Sequence, residues 1–317
     1  MPASDDPTVP PRDYHRREDD VLERIATIVG QRTIPRGEHH IGDDAAVLAP
    51  FVGQAIISTD VSILGVHLAA ELFPLEDLGY KAVASAVSDL AAMGARVRGA
   101  VVAVSAPAGT DLEALHRGIA DASRSTGCPI VGGDLAQGRD VSVAVTVFGE
   151  CPDAAAVLRS GARAGDEILV TGPLGRSAAG LRRRRAGGEL NEELVVAHRR
   201  PWPRLREGEA ARGARVHAMM DLSDGLGLDL HRLADASSVG FALSSVPVAR
   251  GATEDEAVGG GEDYELVMVT DNPGRLRLMF HDRGLAAPIS VGVVVADPAV
   301  RTLRGAPFER RGWQHRL

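Results

Sequence analysis

Cysteine and lysine are nearly missing from this chain of 317 residues, which has two cysteines and a single lysine, Lys81. Cys128 and Cys151 are too few for a cysteine-based metal site, and we expect them to be free thiols in a reducing cytoplasm. With one lysine, the chain has neither the GxxxxGK(S/T) phosphate loop nor the strand lysine of a protein-kinase fold. If the protein handles a nucleotide, metal ions and arginines must neutralise the phosphates.

Long apolar runs are also missing, because the longest, such as residues 141–148, are too short to span a bilayer. The sequence does not begin with basic residues followed by an apolar segment. We therefore expect no secretory signal, no membrane partner and a cytoplasmic location. The formal net charge of −8 argues against a nucleic-acid partner. The basic run at residues 182–185 is interpreted as the solvated face of a helix.

The length favours two domains, because a single core seldom grows to 317 residues. Residues 1–20 are rich in Pro, Asp and Arg and have no apolar period, so we interpret them as a mobile tail. The composition of residues 151–166 is that of a linker. The expected domains are therefore residues 21–151 and residues 152–317.

Two adjacent carboxylates, Asp43 and Asp44, follow a glycine and precede a short apolar run in the sequence IGDDAAVLAP of residues 41–50. An isolated pair of this kind is most simply a turn in which one Asp caps a backbone amide. Here, Asp beside Gly or Ser recurs at Ser58-Thr59-Asp60, Ser88-Asp89, Gly132-Gly133-Asp134 and Asp221-Leu222-Ser223-Asp224. These segments predict one site assembled from separated parts of the chain. Its hard oxygen ligands favour magnesium, calcium or manganese over zinc.

The clearest predicted helix covers residues 75–94, with apolar residues at helical spacing and Gly94 suited to its C-terminal cap. Asp89 falls at the edge of the buried face of this helix. The alternative to a functional role is a salt-bridged structural Asp, but Asp has a poor propensity for the middle of a helix. Residues 21–29 and 110–127 are also predicted to be helical.

Four strands are predicted in the first half of the chain from short apolar or alternating runs, one of them at residues 128–131. Residues 54–60 are interpreted as a short buried strand that ends in polar oxygens. Residues 97–104 form a second strand, and residues 141–150 form a third in which valines alternate with other residues.

Two glycine-bearing turns are predicted to approach a ligand. A strand at residues 128–131 opens into Gly132-Gly133-Asp134, where the glycines would let the backbone come close and the Asp would hold a cation. At residues 219–230, a strand end with Asp and Ser precedes a helix, a geometry that binds phosphate.

For His67, which follows a glycine among apolar residues, a structural and a functional role remain open.

Eight segments together resemble the thiamine-monophosphate kinase family, in the superfamily of aminoimidazole ribonucleotide synthetase. In the first half of the chain they are IGDDAAV at 41–47, STDVSILGVHL at 58–68, LGYKAVASAVSDLAAMGA at 78–95 and GGD at 132–134. In the second half they are LRSGARAGDEILVTGPLGRSAAGL at 158–181, HRRPWPR at 198–204, DLSDGL at 221–226 and GGEDYEL at 260–266. Their order along the chain is far more specific than any one motif.

The resemblance implies a two-domain α+β fold, with an N-terminal α+β domain for metal binding, ATP binding and dimerisation and a C-terminal α/β domain. It implies a homodimer whose N-terminal strands join in a shared barrel, with the nucleotide near the interface. The implied reaction is ATP plus thiamine monophosphate giving thiamine diphosphate and ADP, by direct phosphoryl transfer assisted by several magnesium ions. A phosphate oxygen is already anionic and needs no general base, which suits a site rich in Asp.

The resemblance also assigns the candidate site residues. The magnesium ligands that it implies are Asp44, Ser58, Thr59, Asp60, Asp89, Asp134, Asp221 and Asp224. The catalytic residues among them are Asp60, Asp89 and Asp224. The residues implied at ATP are Gly133, Asp134, Arg159 and Ser223. The residues implied at thiamine monophosphate are His67, Glu262 and Trp313.

The sequence departs from the family pattern at Leu64, where the family often has a glutamate in a Val-Glu-Gly-Val-His-Phe run. Selenophosphate synthetase, a relative, would need a reactive Cys or selenocysteine near the start, and none precedes Cys128. A hydrogenase-maturation relative would end in a cysteine, whereas this sequence ends His315-Arg316-Leu317. Aminoimidazole ribonucleotide synthetase and a non-catalytic module that binds metal and nucleotide remain alternatives.

Overall fold

The computed structural model describes residues 13–30, 33–42 and 44–314. Its helices are α1 (Asp13–Val29), α2 (Leu75–Ala92), α3 (Leu112–Thr126), α4 (Arg176–Arg185), α5 (Glu193–Arg199), α6 (Leu205–Ala214), α7 (Leu226–Ser237), α8 (Glu254–Gly259) and α9 (Pro273–Asp282). Its strands are β1 (Gln54–Ile63), β2 (Arg96–Ala106), β3 (Ile130–Gln137), β4 (Ser142–Cys151), β5 (Glu167–Val170), β6 (Ala218–Asp221), β7 (Gly240–Leu243), β8 (Leu266–Thr270), β9 (Ile289–Val295), β10 (Arg301–Leu303) and β11 (Ala306–Pro307). No helix among these residues is both long and apolar enough to cross a membrane.

The N-terminal domain is a four-stranded sheet with helices packed on one face. The strand order is β1-β4-β2-β3, in which β3 is parallel to β2 and the other pairs are antiparallel. β4 confirms the predicted alternation, because Val143, Val145 and Val147 are fully buried and the residues between them are half-buried. The buried side packs against α2, and α3 packs on α2 in turn. These contacts form one apolar core.

On the other face of this sheet, the described part of the chain leaves side chains of β1 exposed. Ile57 and Val61 of β1 are 65% and 45% exposed, and they alternate with residues that point towards α2. The strand predicted over residues 54–60 is confirmed, but it continues to Ile63 and is partly exposed instead of buried. An edge strand of a sheet with one covered face buries only every second side chain.

The C-terminal domain is a seven-stranded sheet with an apolar core on each face. The strand order is β11-β10-β7-β9-β5-β8-β6, and β10 and β7 are its parallel pair. Ile168 and Val170 of β5 belong to the core that contains Leu230 of α7. Leu169, between them, belongs to the core that contains Leu276 and Phe280 of α9. A strand covered on both faces needs a continuous apolar run, which this sequence provides.

α2 joins the two domains, because it packs on the N-terminal sheet and also on α6 and β6. A Cβ atom at Gly208 of α6 would lie 2.1 Å from the carbonyl oxygen of Ala91, so the two helix backbones touch closely. Gly94 has the left-handed φ of 67° just after the helix, as its cap role predicts, and its carbonyl oxygen accepts the Arg212 Nε–H at 2.8 Å. The helix is therefore buried on nearly every side instead of one.

Two other local predictions from the sequence were wrong. α1 begins at Asp13, so it includes part of the stretch interpreted as a tail; residues 1–12 lie outside the described part of the chain. The sequence of the first turns of α1 is polar and has no apolar period, so the start of the helix could not be predicted from it. The Gly132-Gly133-Asp134 segment lies inside β3 instead of in a turn. Pairing with β2 extends this strand, and a Cβ at Gly133 would meet the Val102 carbonyl oxygen at 2.1 Å.

Candidate functional site

A cavity of about 380 Å³ lies between the two domains. Its wall comes from β1, the loop that follows β1, α2, α4, α5 and the turns at residues 221–226 and 260–266. Eight residues that the sequence predicted for the site line this cavity: Asp60, His67, Asp89, Asp221, Ser223, Asp224, Glu262 and Trp313. The fold therefore brings predicted metal ligands and predicted substrate-binding residues into one space.

Asp60, Asp89 and Asp221 form what we call the acidic group of the cavity. Ser58 Oγ donates to Asp89 Oδ2 at 2.5 Å, and Ser88 Oγ donates to Asp221 Oδ2 at 2.7 Å. Burial, with the charge of Asp89 as the second cause, raises the pKa of Asp221 to about 7. Burial also raises the pKa of Asp89, and the charge of Asp60 adds to that effect. The acidic group is therefore destabilised by its own charge when it is ionised.

Asp224 differs from the acidic group because it already has a cation beside it. Arg232 of α7 forms an ion pair with both Asp224 and Asp229. Asp229 Oδ2 accepts the backbone N–H groups of Asp224 at 2.8 Å and of Gly225 at 3.1 Å, which holds the turn before α7. The backbone N–H of Trp313 donates to the Asp224 carbonyl oxygen at 3.0 Å. The same turn therefore places both Asp224 and the tail segment with Trp313.

The turn at residues 260–266 has an unusual backbone. Glu262 and Tyr264 have φ angles of 65° and 50°, a region that residues other than glycine rarely adopt. Asp263, between them, accepts the backbone N–H groups of Gly175 at 2.5 Å and Ser177 at 3.0 Å at the start of α4. Strained backbone of this kind is commonly found at ligand sites. The strain here directs Asp263 towards the helix and Glu262 towards the cavity.

Lys81, Glu262, His198 and His67 form a second polar cluster, which we call the lysine group. Lys81 Nζ donates to Glu262 Oε2 at 2.7 Å and to the His67 carbonyl oxygen at 3.0 Å. His198 Nδ1 lies 3.5 Å from the same Glu262 oxygen. Burial, followed by the charges of Lys81 and Arg185, lowers the pKa of His198 to about 2, so its ring is neutral. The lysine group therefore contains its own counter-charge.

His67 is held by its backbone neighbours as well as by Lys81. Its Nδ1 accepts the Ile63 N–H at 3.0 Å, which fixes the neutral ring with its proton on Nε2. The residue follows the turn at Gly65, whose φ of 85° favours glycine. This local structure explains how the segment after β1 presents His67 to the cavity.

Six predicted site residues do not line the cavity. Ser58 reaches it only through its hydrogen bond to Asp89, whereas Thr59 is on the open face of the sheet, where it accepts the Thr146 Oγ–H at 3.0 Å. Asp44 is exposed in the loop before β1, and Asp43 lies outside the described residues. The remaining three are also exposed. Gly133 and Asp134 lie in β3, and Arg159 lies in the segment between β4 and β5. Arg159 still acts on the acidic group, because its charge lowers the pKa of Asp89 and Asp221.

Residues 42–151 match the family described as AIR synthase related protein, N-terminal domain, and residues 163–303 match AIR synthase related protein, C-terminal domain. The thiamine-monophosphate kinase of Mycobacterium tuberculosis is 39% identical over 242 residues, which cover 71% of this chain and 73% of that protein. The crystal structure of thiamine-monophosphate kinase from Stenotrophomonas maltophilia K279a is 31% identical, with a TM-score of 0.78 and coverage of 90% of this chain and 96% of that one.

This chain belongs to the thiamine-monophosphate kinase family. The resemblance inferred from its motifs and the predicted two-domain fold are both confirmed. Another solved structure, described as AaThiL complexed with AMPPCP and TMP, is 26% identical with a TM-score of 0.74, and the match covers 94% of this chain and 96% of that one. The chain is therefore an enzyme of the thiamine-monophosphate kinase family.

The magnesium ions that the family implies suit the chemistry of the acidic group. Among the described residues, no group of three or more His, Cys, Asp or Glu side chains is placed so that it could hold a metal ion. Asp89 and Asp221 nevertheless offer carboxylate oxygens, the ligands that magnesium prefers; their pKa values are raised first by burial and then by a neighbouring carboxylate, whose charge a cation would offset. The donor set therefore fits a divalent cation.

The motifs of the thiamine-monophosphate kinase family gave no role to several residues of the cavity wall. Of these, His198 belongs to the lysine group, and Tyr264 and Ser85 are hydrogen-bonded to each other. Lys81 also has no role in the motifs; it does not line the cavity itself but contacts its wall through Glu262. One signal was available for Lys81, because a lone lysine in the middle of an apolar helix requires a buried partner. His198 lies in the HRRPWPR motif, but the sequence contains nothing that indicates which ring contacts it.

Proposed function

We propose that this protein transfers the γ-phosphoryl group of ATP to the phosphate of thiamine monophosphate, which gives thiamine diphosphate and ADP. The observation that carries the proposal is that one cavity is lined by the acidic group and by all three residues predicted to bind thiamine monophosphate. The 26% identical structure complexed with AMPPCP and TMP supports it, since AMPPCP is an ATP analogue.

The cavity wall suits the two halves of thiamine monophosphate differently. Trp313 is 52% exposed and offers a flat apolar face, on which a cationic thiazolium ring gains about 1 kcal/mol. Glu262 offers a carboxylate that can accept a hydrogen bond from the amino group of the pyrimidine ring. His67 lines the same space, and its Nδ1 accepts the Ile63 N–H. The phosphate of the substrate would then lie towards the acidic group.

The reaction needs charge neutralisation more than proton transfer. The attacking atom is a phosphate oxygen that carries negative charge, so no side chain has to remove a proton from it. The main barrier is repulsion between two anionic phosphates, and it falls when both are held in line among positive groups. We assign Asp60, Asp89 and Asp224 to the centre of this arrangement.

Magnesium is the cation that we propose for this site. Asp60, Asp89, Asp221 and Asp224 would hold it, with Ser58, Thr59, Asp44 and Asp134 as the further predicted ligands. When bound, magnesium supplies positive charge that offsets the phosphates and fixes their relative orientation. The hydrogen bonds from Ser58 and Ser88 keep the carboxylates of Asp89 and Asp221 oriented before any ion arrives.

We also propose a cytoplasmic homodimer. Ile57 and Val61 lie on the open face of the N-terminal sheet, and a second subunit there would remove this apolar surface from water. Thr59, Gly133 and Asp134 are exposed in the two edge strands β1 and β3, where residues of a partner could complete an ATP site. Sedimentation should give the mass of about two chains at micromolar concentration. A stable and fully active monomer would contradict the dimer.

The test of the proposed function is an assay of ADP release with purified protein, ATP, magnesium and thiamine monophosphate. We expect ADP only when thiamine monophosphate is present, together with an equal amount of thiamine diphosphate. An enzyme with aminoimidazole ribonucleotide synthetase activity would release no ADP in response to thiamine monophosphate. Binding of ATP without ADP release under any of these conditions would favour the non-catalytic alternative.

A further inference from the structure

The only lysine of this chain is buried inside the helix that joins the two domains. Lys81 is 1% exposed, and an ammonium group at that depth is stable only if its charge and its N–H donors have partners. It has two: Glu262 Oε2 at 2.7 Å and the His67 carbonyl oxygen at 3.0 Å. Both partners are residues of the cavity wall to which we assign thiamine monophosphate.

Glu262 depends on Lys81 for its counter-charge. His198 also lies within 3.5 Å of Glu262 Oε2, but its ring is neutral, because burial and the charge of Lys81 itself oppose its protonation. Ser177 Oγ lies 2.9 Å from His198 Nδ1, which further occupies that ring nitrogen. Lys81 is therefore the cation in direct contact with Glu262 in the described part of the chain.

The contacts of Glu262 are asymmetric. Each hydrogen bond or ion pair that its carboxylate makes with the described residues uses Oε2. Oε1 is left to accept a hydrogen bond from a ligand, and the side chain is 25% exposed beside the cavity. The left-handed backbone at Glu262 and the hydrogen bond from its N–H to the Ser223 carbonyl oxygen, at 2.7 Å, limit how far the carboxylate can move.

We propose that Lys81 is a positioning residue for thiamine monophosphate. Its ammonium group holds Oε2 of Glu262 and the carbonyl of His67 in one orientation, so that Oε1 of Glu262 accepts the amino group of the pyrimidine ring. This inference rests on the proposed function and adds to it a residue that does not touch the substrate. Because Lys81 is on α2 and Glu262 is in the C-terminal domain, the substrate pocket depends on how the two domains are docked.

The test is steady-state kinetics of Lys81→Met, Glu262→Gln and the double variant, with each substrate varied in turn. Lys81→Met should raise the KM for thiamine monophosphate about tenfold or more, the effect of losing a hydrogen bond to a charged group, and leave the KM for ATP unchanged. Glu262→Gln should raise the same KM. In the Glu262→Gln background, Lys81→Met should add little, because Lys81 acts through Glu262.

The matched control is Arg212→Met, which removes another buried cation between the domains. Arg212 is 6% exposed and its Nε–H donates to the Gly94 carbonyl oxygen at 2.8 Å, away from the cavity. This variant should lower the melting temperature without changing the KM for thiamine monophosphate. If Lys81→Met alone fails to fold, the double variant still tests the inference, because it leaves no unpaired charge at positions 81 and 262. Its KM for thiamine monophosphate should equal that of Glu262→Gln.

Each outcome decides between the inference and its alternatives. Additive effects of Lys81→Met and Glu262→Gln on the KM, or a Lys81→Met variant with a normal KM for thiamine monophosphate, would overturn the positioning role. A change in the KM for ATP as large as that for thiamine monophosphate would also overturn it. A wild-type protein without turnover of thiamine monophosphate would overturn the proposed function itself, whereas an active wild type with unaltered variants would overturn only this inference.

Discussion

The acidic group lines the cavity together with His67, His198 and Glu262 of the lysine group, and the two groups differ in how they balance negative charge. Burial raises the pKa values of Asp89 and Asp221, the charge of Asp60 adds to the effect on Asp89 and the charge of Asp89 to that on Asp221, and the hydrogen bonds to both carboxylates come from neutral serine hydroxyls. Glu262 instead has the ammonium group of Lys81 at 2.7 Å. The acidic group therefore carries negative charge that the side chains bonded to it do not balance, whereas the charge of Glu262 in the lysine group is balanced within the chain.

Removal of magnesium should have the largest effect on turnover of all the changes that test this comparison. Excess chelator should abolish turnover and weaken ATP binding, because the chain offers the phosphates one lysine, and that lysine is paired with Glu262. Binding of thiamine monophosphate to the lysine group should persist, as measured by calorimetry in chelator. Substantial ADP release in excess chelator would contradict the assignment of the acidic group to magnesium.

Asp89→Ala should have the next largest effect. The substitution removes one anionic ligand from a cluster that acts as a unit, so kcat should fall by about 100- to 1,000-fold with the fold intact. Asp121→Ala is the matched control, because Asp121 is a half-exposed carboxylate of α3 that pairs with Arg124 and Arg200 outside the cavity. A near-normal kcat for Asp89→Ala would make the helix carboxylate structural.

Trp313→Ala tests the other side of the cavity and should act on binding. Loss of a contact of about 1 kcal/mol with the thiazolium ring raises the KM for thiamine monophosphate about fivefold and leaves the KM for ATP nearly unchanged. Trp202→Ala is a close control, because both tryptophans are 52% exposed and Trp202 does not line the cavity. If Trp313→Ala changes the KM for ATP instead, the two ligands are placed the wrong way round.

Asp221→Asn should give a small gain in stability that depends on pH. The pKa of Asp221 is raised in the folded protein to about 7, so its contribution to stability is present at low pH and is lost as the pH rises through that value. In metal-free protein at pH 8, where Asp221 is ionised, the substitution should raise the melting temperature by about 2–4 °C for each kcal/mol of unfavourable free energy removed. At pH 5, where the folded protein holds the proton on Asp221, the rise should be smaller. An equal gain at both pH values would show that the charge of Asp221 is not the cause.

Local sequence patterns were sufficient for several elements. The alternation of β4 and the glycine that ends α2 follow from rules that act within a few residues, and both are present in the structure. The Gly132-Gly133-Asp134 segment shows the limit of such rules. Two glycines favour a turn locally, but the pairing of Gly133 with Val102 across the sheet extends β3 through them. A tertiary contact therefore overrode the local preference.

By itself, the sequence determined the motifs that assign the family and the residue types of the site, since an Asp beside Gly or Ser can be recognised without knowledge of its neighbours. Only the tertiary structure decided which of them meet. Lys81 and Glu262 are 181 residues apart in the chain, and their ion pair exists because α2 packs against both domains. Charge balance depends on distances between side chains, and those distances are set by the docking of two domains, which no local pattern encodes.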